Sequence, residues 1–447
     1  MVKACGLRHH ALHIEIAHCL LAMLAVFASI SSILLGAALL LIGNGLIGTL
    51  LALRASSEGY TDGVIGLIMS AYFCGFLVGT FIAPRIVMRV GHIRAFALFA
   101  AIASAIAILH ALIIHPVSWA ALRVLMGICL VSLYTVIESW LNALAPGERR
   151  GKVFAAYMAV NFAALALGQN LIRLYSPSGL ELFGLVAMLL SLSLVPIALT
   201  RIEQPTPVQQ PRVGLRRLYA ASPSGIAGAF GSGLAMSAFW GMGPVMARHL
   251  NFDEAGIAAF MTATILGGAL IQWPVGYWSD RHDRRAVLAT VTAGACFSAL
   301  IAVVFSLLGQ STLLAAMFVF GGLAFAVYPV SIALTNDFLS RDEMLQGASS
   351  MLLIHGLGAS VGPSLAGLLM EWMGPFGLLL HFAWIFAVLA AFVWLRLRRS
   401  GYTTLPHTAY APMVRTSPVA LELLAPEPAT PAPPQPTESE AADLGRS

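Results

Sequence analysis

Charged side chains are scarce in this chain. Asp, Glu, Lys and Arg make up 10% of the residues, whereas about 25% is usual in a soluble globular domain. The chain instead contains apolar runs of roughly 20 residues, which is the length that a helix needs to cross a bilayer. These runs do not alternate with period two, which argues against a membrane β-barrel. The sequence therefore predicts an all-α integral membrane protein.

Cysteine is also scarce, and its spacing excludes several kinds of site. The five cysteines form no CxxC pair and no metal-ligand spacing, so we expect no disulfide framework, metal or other cofactor. The chain carries no Walker loop, no HExxH zinc motif and no nucleophile elbow. These absences argue against an enzyme and against ATP as the source of energy. The net charge of +5 reflects loop topology, so no nucleic-acid partner is expected.

Twelve apolar segments are predicted to span the membrane as helices. Their length and hydropathy set the limits, which are reliable to a few residues. The predicted spans are 30–53, 64–84, 93–112, 117–140, 152–174, 178–199, 223–248, 256–278, 286–307, 312–335, 346–370 and 375–397.

These spans divide the chain into two halves. Residues 30–199 and 223–397 are each predicted to form a six-helix bundle, and residues 200–222 form a polar cytoplasmic linker between them. Residues 1–29 form an N-terminal extension, which could be interfacial, part of the first helix or a signal sequence. Residues 398–447 are polar and rich in Pro, Ala and Glu. We expect them to be a disordered cytoplasmic tail.

The placement of basic residues predicts the orientation in the membrane. If the N-terminus is cytoplasmic, Arg54, Arg173 and Arg248 face outward and Arg123 lies within a span. The remainder of the 25 Lys and Arg residues then lie on the cytoplasmic side, as the positive-inside rule requires. We therefore expect both termini to be cytoplasmic, in a plasma membrane of the bacterial inner-membrane type.

The two predicted bundles also match each other in sequence. A shift of 194 residues aligns Gly127 with Gly321, Tyr134 with Tyr328, Asn142 with Asn336 and Gly168 with Gly362. Two parallel, pseudo-symmetric halves are typical of one architecture of secondary transporters. The charged positions do not repeat, because Arg123 falls on Met317 and Glu138 falls on Ile332.

The loop after the eighth span carries a specific charged motif. Residues 276–285 read GYWSDRHDRR, which resembles the signature loop of the major facilitator superfamily, G-x-x-x-D-R-x-G-R-R/K, with Asp283 where glycine is usual. The first-half loop is more degraded, with Met88 in place of the acid. The resemblance implies a cytoplasmic gate in which an acid caps a helix N-terminus and pairs with arginines, although positive-inside charge alone also explains the loop. The predicted gate residues are Gly276, Asp280, Arg281, Arg284, Arg285, Arg89, Gly91 and Arg94.

Three further segments resemble the YcaD-type branch of the same superfamily. They are residues 43–45, Gly-Asn-Gly, residues 67–72, Leu-Ile-Met-Ser-Ala-Tyr, and the stretch from Glu138-Ser-Trp-Leu-Asn to Arg-Arg-Gly151. The resemblance runs from about residue 36 to residue 397. It implies the superfamily fold, two pseudo-symmetric six-helix bundles around a central cavity, but it assigns no substrate.

The fourth span carries two charged residues. Arg123 and Gly127 resemble an R-x-x-x-G motif of the superfamily in this span. At about 100° per residue, Arg123, Tyr134 and Glu138 share one helix face, and the resemblance implies that this span lines the cavity. A buried carboxylate can exchange a proton near neutral pH, so Glu138 is a candidate proton carrier. The structural alternatives are snorkelling of Arg123 and an ion pair between Glu138 and Arg149.

Other polar or aromatic side chains within spans are further candidates for the substrate and proton pathway. His355 falls on Asn161 under the 194-residue shift and could titrate or bind a solute. Asn44, Asn161 and Trp240 could also contact a solute, although hydrogen bonding between helices or simple packing explains each of them as well.

The predicted function is secondary active transport of a small solute by alternating access. Proton coupling is favoured because Glu138 and His355 are the available titratable groups, and efflux is favoured because the polar candidates in the cavity are few. The expected partners are a small-molecule substrate, the lipid bilayer and protons, with the protein acting as a monomer. The alternatives are a symporter or facilitator that takes up a nutrient, and a sensor of the same fold that moves no solute.

Overall fold

Helices make up almost the whole of the described chain. The computed structural model describes residues 2–145, 150–199, 214–399 and 410–413, with side chains from residue 30 onward except at 215, 341, 342 and 345. Within these ranges the α-helices are α1 Val2–Ser57, α2 Asp62–Val90, α3 His92–Leu112, α4 Pro116–Leu144, α5 Arg150–Asn170, α6 Glu181–Leu192, α7 Leu194–Leu199, α8 Leu215–Ala221, α9 Pro223–His249, α10 Glu254–Ser279, α11 Arg284–Leu308, α12 Gln310–Asn336, α13 Arg341–Met373 and α14 Phe376–Arg399.

Eleven helical segments of the described chain are long and apolar enough to cross a membrane. The predicted seventh span is α9, which has the length but not that hydropathy because it is rich in Gly and Ser. Most of α9 is buried among other helices, so its small residues face protein rather than lipid. The sixth span is broken at Ser193, between α6 and α7.

Within the described ranges, short connections join successive long helices, so neighbouring helices run in opposite directions. We call the end of the molecule that contains the turn 58–61 the α1–α2 end. The opposite end contains residues 280–283, and we call it the α10–α11 end. Both halves of the chain follow the same up-and-down path between these two ends.

The helix packing repeats from one half to the other. In the first half α2 packs along α4 and α1 packs along α5, and in the second half α10 packs along α12 and α9 along α13. The halves meet where α2 lies against α13 and α5 lies against α10. The predicted fold class, all-α and membrane-spanning with two pseudo-symmetric bundles, is confirmed.

Close helix packing explains why glycines mark the repeat. A Cβ atom on Gly127 of α4 would lie 2.1 Å from the Tyr72 carbonyl oxygen of α2. A Cβ atom on Gly321 of α12 would lie at the same distance from the Thr264 carbonyl oxygen of α10. These helices approach too closely for any side chain, as small residues at membrane helix crossings allow.

Two segments predicted to be irregular contain ordered elements. In the predicted linker, α8 buries Leu218, and Arg217 forms an ion pair of 3.3 Å with Glu343 at the start of α13. The hydrogen bond from Arg217 is the main reason why the pKa of Glu343 lies below its usual range. In the predicted disordered tail, residues 398–399 end α14 and residues 410–413 lie against α10. The rest of that tail lies outside the described residues.

Candidate functional site

Polar contacts join the two halves toward the α1–α2 end. The Arg248 guanidinium of α9 donates hydrogen bonds to the Leu53 carbonyl oxygen at 2.9 Å and to the Ser57 hydroxyl at 2.8 Å. One residue further along, His249 Nε2 lies 2.9 Å from Asp62 Oδ1 at the start of α2. The hydrogen bond to Asp62 raises the pKa of His249. The ends of α1, α2 and α9 are therefore held together.

The crossing of α2 and α13 extends this closure into the bundle. Glu371 of α13 accepts a hydrogen bond of 3.1 Å from the backbone N–H of Gly63. Further in, Ser364 donates to the Ser70 hydroxyl through its backbone N–H at 3.1 Å and shares a hydroxyl contact of 2.8 Å with it. Position 66 is a glycine, and a Cβ there would lie 2.4 Å from the Pro363 carbonyl oxygen. The α1–α2 end is thus closed between the halves.

A cavity of about 880 Å³, part of it open to solvent, lies between the halves on the other side of this closure. Its walls come from α2 of the first half and from α9, α12 and α13 of the second half. Six aromatic side chains dominate the walls, namely Tyr72, Phe73, Phe76, Trp240, Phe325 and Tyr328. Such a lining suits a solute with an apolar or aromatic body.

Few polar groups face this cavity. The Tyr328 hydroxyl has no hydrogen-bond partner within the described part of the chain. The Tyr328 ring lies against the His355 ring, with 4.5 Å between centroids. His355 Nδ1 lies 3.3 Å from the Ser232 hydroxyl, so the imidazole is oriented by α9. A phenol and an imidazole are therefore positioned to hydrogen-bond a solute.

Trp240, a predicted site residue, also lines the cavity. Its ring makes edge contacts with Phe239 at 5.2 Å and with Phe325 at 6.1 Å between centroids. These contacts hold the indole in place, and edge-to-face packing of this kind stabilises aromatic clusters.

Arg123 lies one layer behind the cavity wall. It is 5% exposed, and its guanidinium carbon lies 4.5 Å from the centroid of the Tyr72 ring. Its Nη2 atom lies 3.7 Å from the Met69 sulfur. Arg123 therefore reaches the cavity through Tyr72, whose face it covers as a cation–π partner.

A buried polar cluster inside the first half contains four more predicted site residues. Asn44 Nδ2 donates a hydrogen bond of 2.7 Å to the Tyr134 hydroxyl. The Tyr157 hydroxyl donates one of 3.0 Å to Glu138 Oε1. Asn161 lies one turn beyond Tyr157 on α5 and is fully buried. The cluster joins α1, α4 and α5.

The resemblance implied that the fourth span lines the cavity, whereas the cavity walls described above contain no residue of α4. Of the seven predicted pathway residues, Trp240 and His355 line the cavity, whereas Arg123, Tyr134, Glu138, Asn44 and Asn161 do not. The close α2–α4 packing is the reason, because it places α2 between α4 and the cavity. Tyr134 contacts the wall from behind, with its ring 6.3 Å from that of Phe76. The alternative partner of Glu138, Arg149, lies outside the described residues.

At the α10–α11 end, Arg284 is the centre of an ion-pair network within the second half. Its fully buried side chain contacts Asp280 Oδ1 at 2.9 Å and Asp337 Oδ1 at 2.5 Å. It also donates a hydrogen bond of 3.0 Å to the Ala333 carbonyl oxygen. This arginine thus ties the ends of α10 and α12 to the start of α11.

The other residues of this predicted gate have different roles. Asp283, the departure from the superfamily motif, caps the N-terminus of α11 and forms an ion pair of 3.2 Å with Arg285. Asp280 instead follows the C-terminus of α10. The acid that caps a helix N-terminus in this loop is therefore Asp283. Arg281 is exposed and stacks on Tyr277, with its guanidinium carbon 3.4 Å from the ring centroid.

The first-half gate residues are organised more simply. Arg89 and Arg94 are exposed, and neither forms an ion pair with another described residue. Gly91 has a φ of 84° and joins α2 directly to α3. Such a backbone conformation favours glycine, which explains why Gly91 stands there. This loop therefore resembles a turn between helices rather than an ion-pair network.

Sequence reasoning missed two features of this region. The aromatic face of the second span could have been found, because Tyr72, Phe73 and Phe76 lie at spacings of one and four residues that share a helix face. Asp337 gave no signal of its own, whereas Gln272, a polar residue within a span, was a candidate cavity residue from the sequence. Gln272 is fully buried, and its amide binds the backbone of Met413. In the described residues no group of three or more His, Cys, Asp or Glu side chains could hold a metal ion.

Comparisons with known proteins agree with this architecture. The Major Facilitator Superfamily model matches residues 33–223 and 225–430. The uncharacterized MFS-type transporters YcaD of Shigella flexneri serotype 5b and Escherichia coli K12 are each 27% identical to this chain over 376 residues, which cover 84% of it and 96% of the relative.

Solved structures share the fold at low sequence identity. The nucleoside transporter NupG matches with a TM-score of 0.68 and 13% identity, covering 83% of this chain and 98% of its own. A bacterial homolog of the human lysosomal transporter Spinster, in an inward-facing and unoccupied conformation, matches with a TM-score of 0.67 and 14% identity, covering 84% and 97%. The chain therefore belongs to the Major Facilitator Superfamily and is a membrane transporter rather than an enzyme.

Proposed function

We propose that this protein is a proton-coupled secondary transporter that exports small amphipathic solutes with an aromatic or apolar body. The observation that carries the proposal is the aromatic cavity between the halves, in which Tyr328 and His355 lie against each other. The other polar side chains of its walls are those of Tyr72, Thr80, Ser232 and Ser237. The hydroxyls of Thr80 and Ser237 already donate to backbone carbonyl oxygens of their own helices, which leaves fewer hydrogen-bonding groups than a sugar-like solute would call for.

The charge around the cavity narrows the solute class. Among the described residues no Asp or Glu side chain lines it, and the buried guanidinium of Arg123 lies behind Tyr72. A cationic solute would meet no compensating charge in the walls, an anionic one would be attracted by the nearby arginine, and a neutral one needs no compensating charge. We therefore place neutral and anionic aromatic compounds first among candidate substrates.

The proposed proton carrier is Glu138. Its carboxylate is fully buried and accepts a hydrogen bond from the Tyr157 hydroxyl, which lies on a different helix. A buried carboxylate that gains or loses a proton can couple that change to a shift of its helix. Tyr134 and Phe76 connect this cluster to the cavity wall. Occupation of the cavity would in this way alter the environment of Glu138.

The proposed orientation places the α10–α11 end in the cytoplasm of a bacterial cell. The basic residues of the loops support it, because most of them flank this end. The two units that rock against each other would be residues 30–199 and 223–397, joined by residues 200–222. With the α1–α2 end closed, the cavity would face the cytoplasm, the side from which an exporter loads. Each chain forms its own cavity and would act as a monomer.

The test begins with a thermal-shift screen of the purified protein against neutral, anionic and cationic aromatic compounds. Compounds that raise the melting temperature are then assayed in proteoliposomes with an imposed pH gradient. We expect neutral or anionic compounds to bind and to move only with the gradient. Stabilisation by cationic compounds alone would contradict the solute class, and flux that ignores the gradient would contradict proton coupling.

A further inference from the structure

Four residues of the C-terminal region, Tyr410 to Met413, lie along one face of α10. Met413 donates its backbone N–H to Gln272 Oε1 at 3.0 Å, and Gln272 Nε2 donates to the Met413 carbonyl oxygen at 3.4 Å. A single buried amide thus satisfies both backbone groups of one residue, as a neighbouring strand would. The Tyr410 backbone N–H donates to Asp280 Oδ1 at 3.0 Å.

The spacing of these contacts matches an extended peptide. Gln272, Gly276 and Asp280 are four residues apart, so they form a ladder of about 12 Å along the helix. An extended chain from residue 410 to residue 413 covers about 10 Å. The peptide therefore runs beside α10 with Tyr410 at the α10–α11 end and Met413 deeper in the bundle.

Side chains complete this site. The Tyr410 ring covers Gly276, where a Cβ atom would lie 2.3 Å from the ring carbon Cδ1. Burial, and secondarily the Asp280 carboxylate, raise the pKa of Tyr410, so its phenol stays neutral. Met413 is 4% exposed and lines the same cavity as Trp240 and His355.

We propose that α10 carries a peptide-binding site, built from Gln272, Gly276 and Asp280, whose ligand is the chain's own segment Tyr410–Met413. Bound there, the segment blocks the α10–α11 end of the cavity and competes with solute, a consequence that rests on the proposed transport function. The connection is long enough, because residues 400–409 can span roughly 35 Å from the end of α14. Asp280 serves both this peptide and Arg284, so peptide binding and the ion-pair network share one carboxylate.

Backbone hydrogen exchange tests the site without any substrate. In the full-length protein the amides of residues 410 and 413 should exchange about tenfold more slowly than in the unfolded chain, because each is hydrogen-bonded. Gln272→Leu should remove that protection at 413, and the double change Tyr410→Ala with Met413→Ala should release the segment. Exchange at the unprotected rate in the parent protein would overturn the proposal.

Cysteine labelling tests the block. Ser237→Cys places a thiol in the cavity wall, and peptide mass spectrometry follows its alkylation by N-ethylmaleimide at that position. We expect alkylation to be about tenfold faster when Tyr410 and Met413 are replaced by alanine. The matched control replaces Tyr175 and Met373, the same residue types exposed toward the α1–α2 end, and should leave the rate unchanged. Equal labelling rates in the parent and the Tyr410/Met413 variant would refute the block. Slow exchange and slow labelling in a protein without transport would refute the proposed function and support the peptide site.

Discussion

The loops at the α10–α11 end differ between the two halves, although the helices they join are packed alike. In the second half, Arg284 is buried between the carboxylates of Asp280 and Asp337. In the first half, Arg94 near the start of α3 is exposed, and Met88 stands where the motif has its acid. The second half therefore holds its charges in a fixed network at the end of the bundle.

In the interiors, by contrast, it is the first half that holds the charged residues. The first half buries Arg123 and Glu138, which fall on Met317 and Ile332 in the second half. The second half instead turns Tyr328 and His355 toward the cavity. A shared helix frame thus carries two kinds of chemistry, with the proposed proton step in one half and most of the solute contacts in the other.

The largest effect is expected from removing the central arginine of the network. Arg284→Met would leave the 5% exposed carboxylate of Asp337 without this cation, and breaking a buried pair in this way typically costs about 3–5 kcal/mol. Unfolding by denaturant in detergent micelles measures the loss. The matched control is Arg94→Met in the first half, which should change stability by no more than about 0.5 kcal/mol. Equal losses at the two positions would remove the contrast between the loops.

A smaller effect should be the same in both halves, because the repeat preserves the packing. Gly127→Ala and Gly321→Ala each place a methyl group against a backbone carbonyl of the facing helix, and such overpacking costs about 1–3 kcal/mol. Gly184→Ala is the control, since nothing lies near its Cβ position. It should be neutral or stabilising by helix propensity, by up to about 1 kcal/mol. Thermal unfolding of the three variants checks this, and a loss at only one of the two repeat positions would show that the frame is not shared.

The smallest expected effect lies at the α1–α2 end, in the contact of His249 with Asp62. Because this contact raises the pKa of His249, its stabilisation is fully present below the unfolded pKa and is lost as pH rises through the folded pKa. The His249 side chain is 40% exposed, so solvent screening limits the effect to less than about 1 kcal/mol. The stability difference between the parent and His249→Gln should be largest near about pH 5.5 and vanish near about pH 8.5. A difference that does not change with pH would contradict the ion pair.

Hydropathy predicted the positions of the helices well for a physical reason. A span must keep about 20 residues apolar whatever its neighbours are, so the predicted 256–278 lies within α10, Glu254–Ser279. Hydropathy does not report which helix face meets lipid and which meets protein. Glu138 is not among the side chains that line the cavity, and its part in the proton pathway stays a prediction.

Average composition did not predict the ordered contact of the C-terminal region, because only a few residues make that contact. The tail beyond residue 400 is polar on average, and an average does not single out Tyr410 and Met413. Their partner Gln272 is 141 residues from Met413 in sequence, and a glutamine within a span usually indicates contact between helices. The hydroxyl of Thr49 and the amide of Gln169 illustrate that ordinary role between α1 and α5.

The division of chemistry between the halves is the central claim, and proton movement in proteoliposomes tests it most directly. A pH-sensitive dye inside the vesicles reports protons that move when a compound identified by the thermal-shift screen is added. We predict that Glu138→Gln abolishes the proton signal while the compound still raises the melting temperature. His355→Gln should weaken binding of the compound about tenfold and keep the proton signal at saturating concentration. An unchanged proton signal in Glu138→Gln, or its loss in His355→Gln at saturation, would contradict the account.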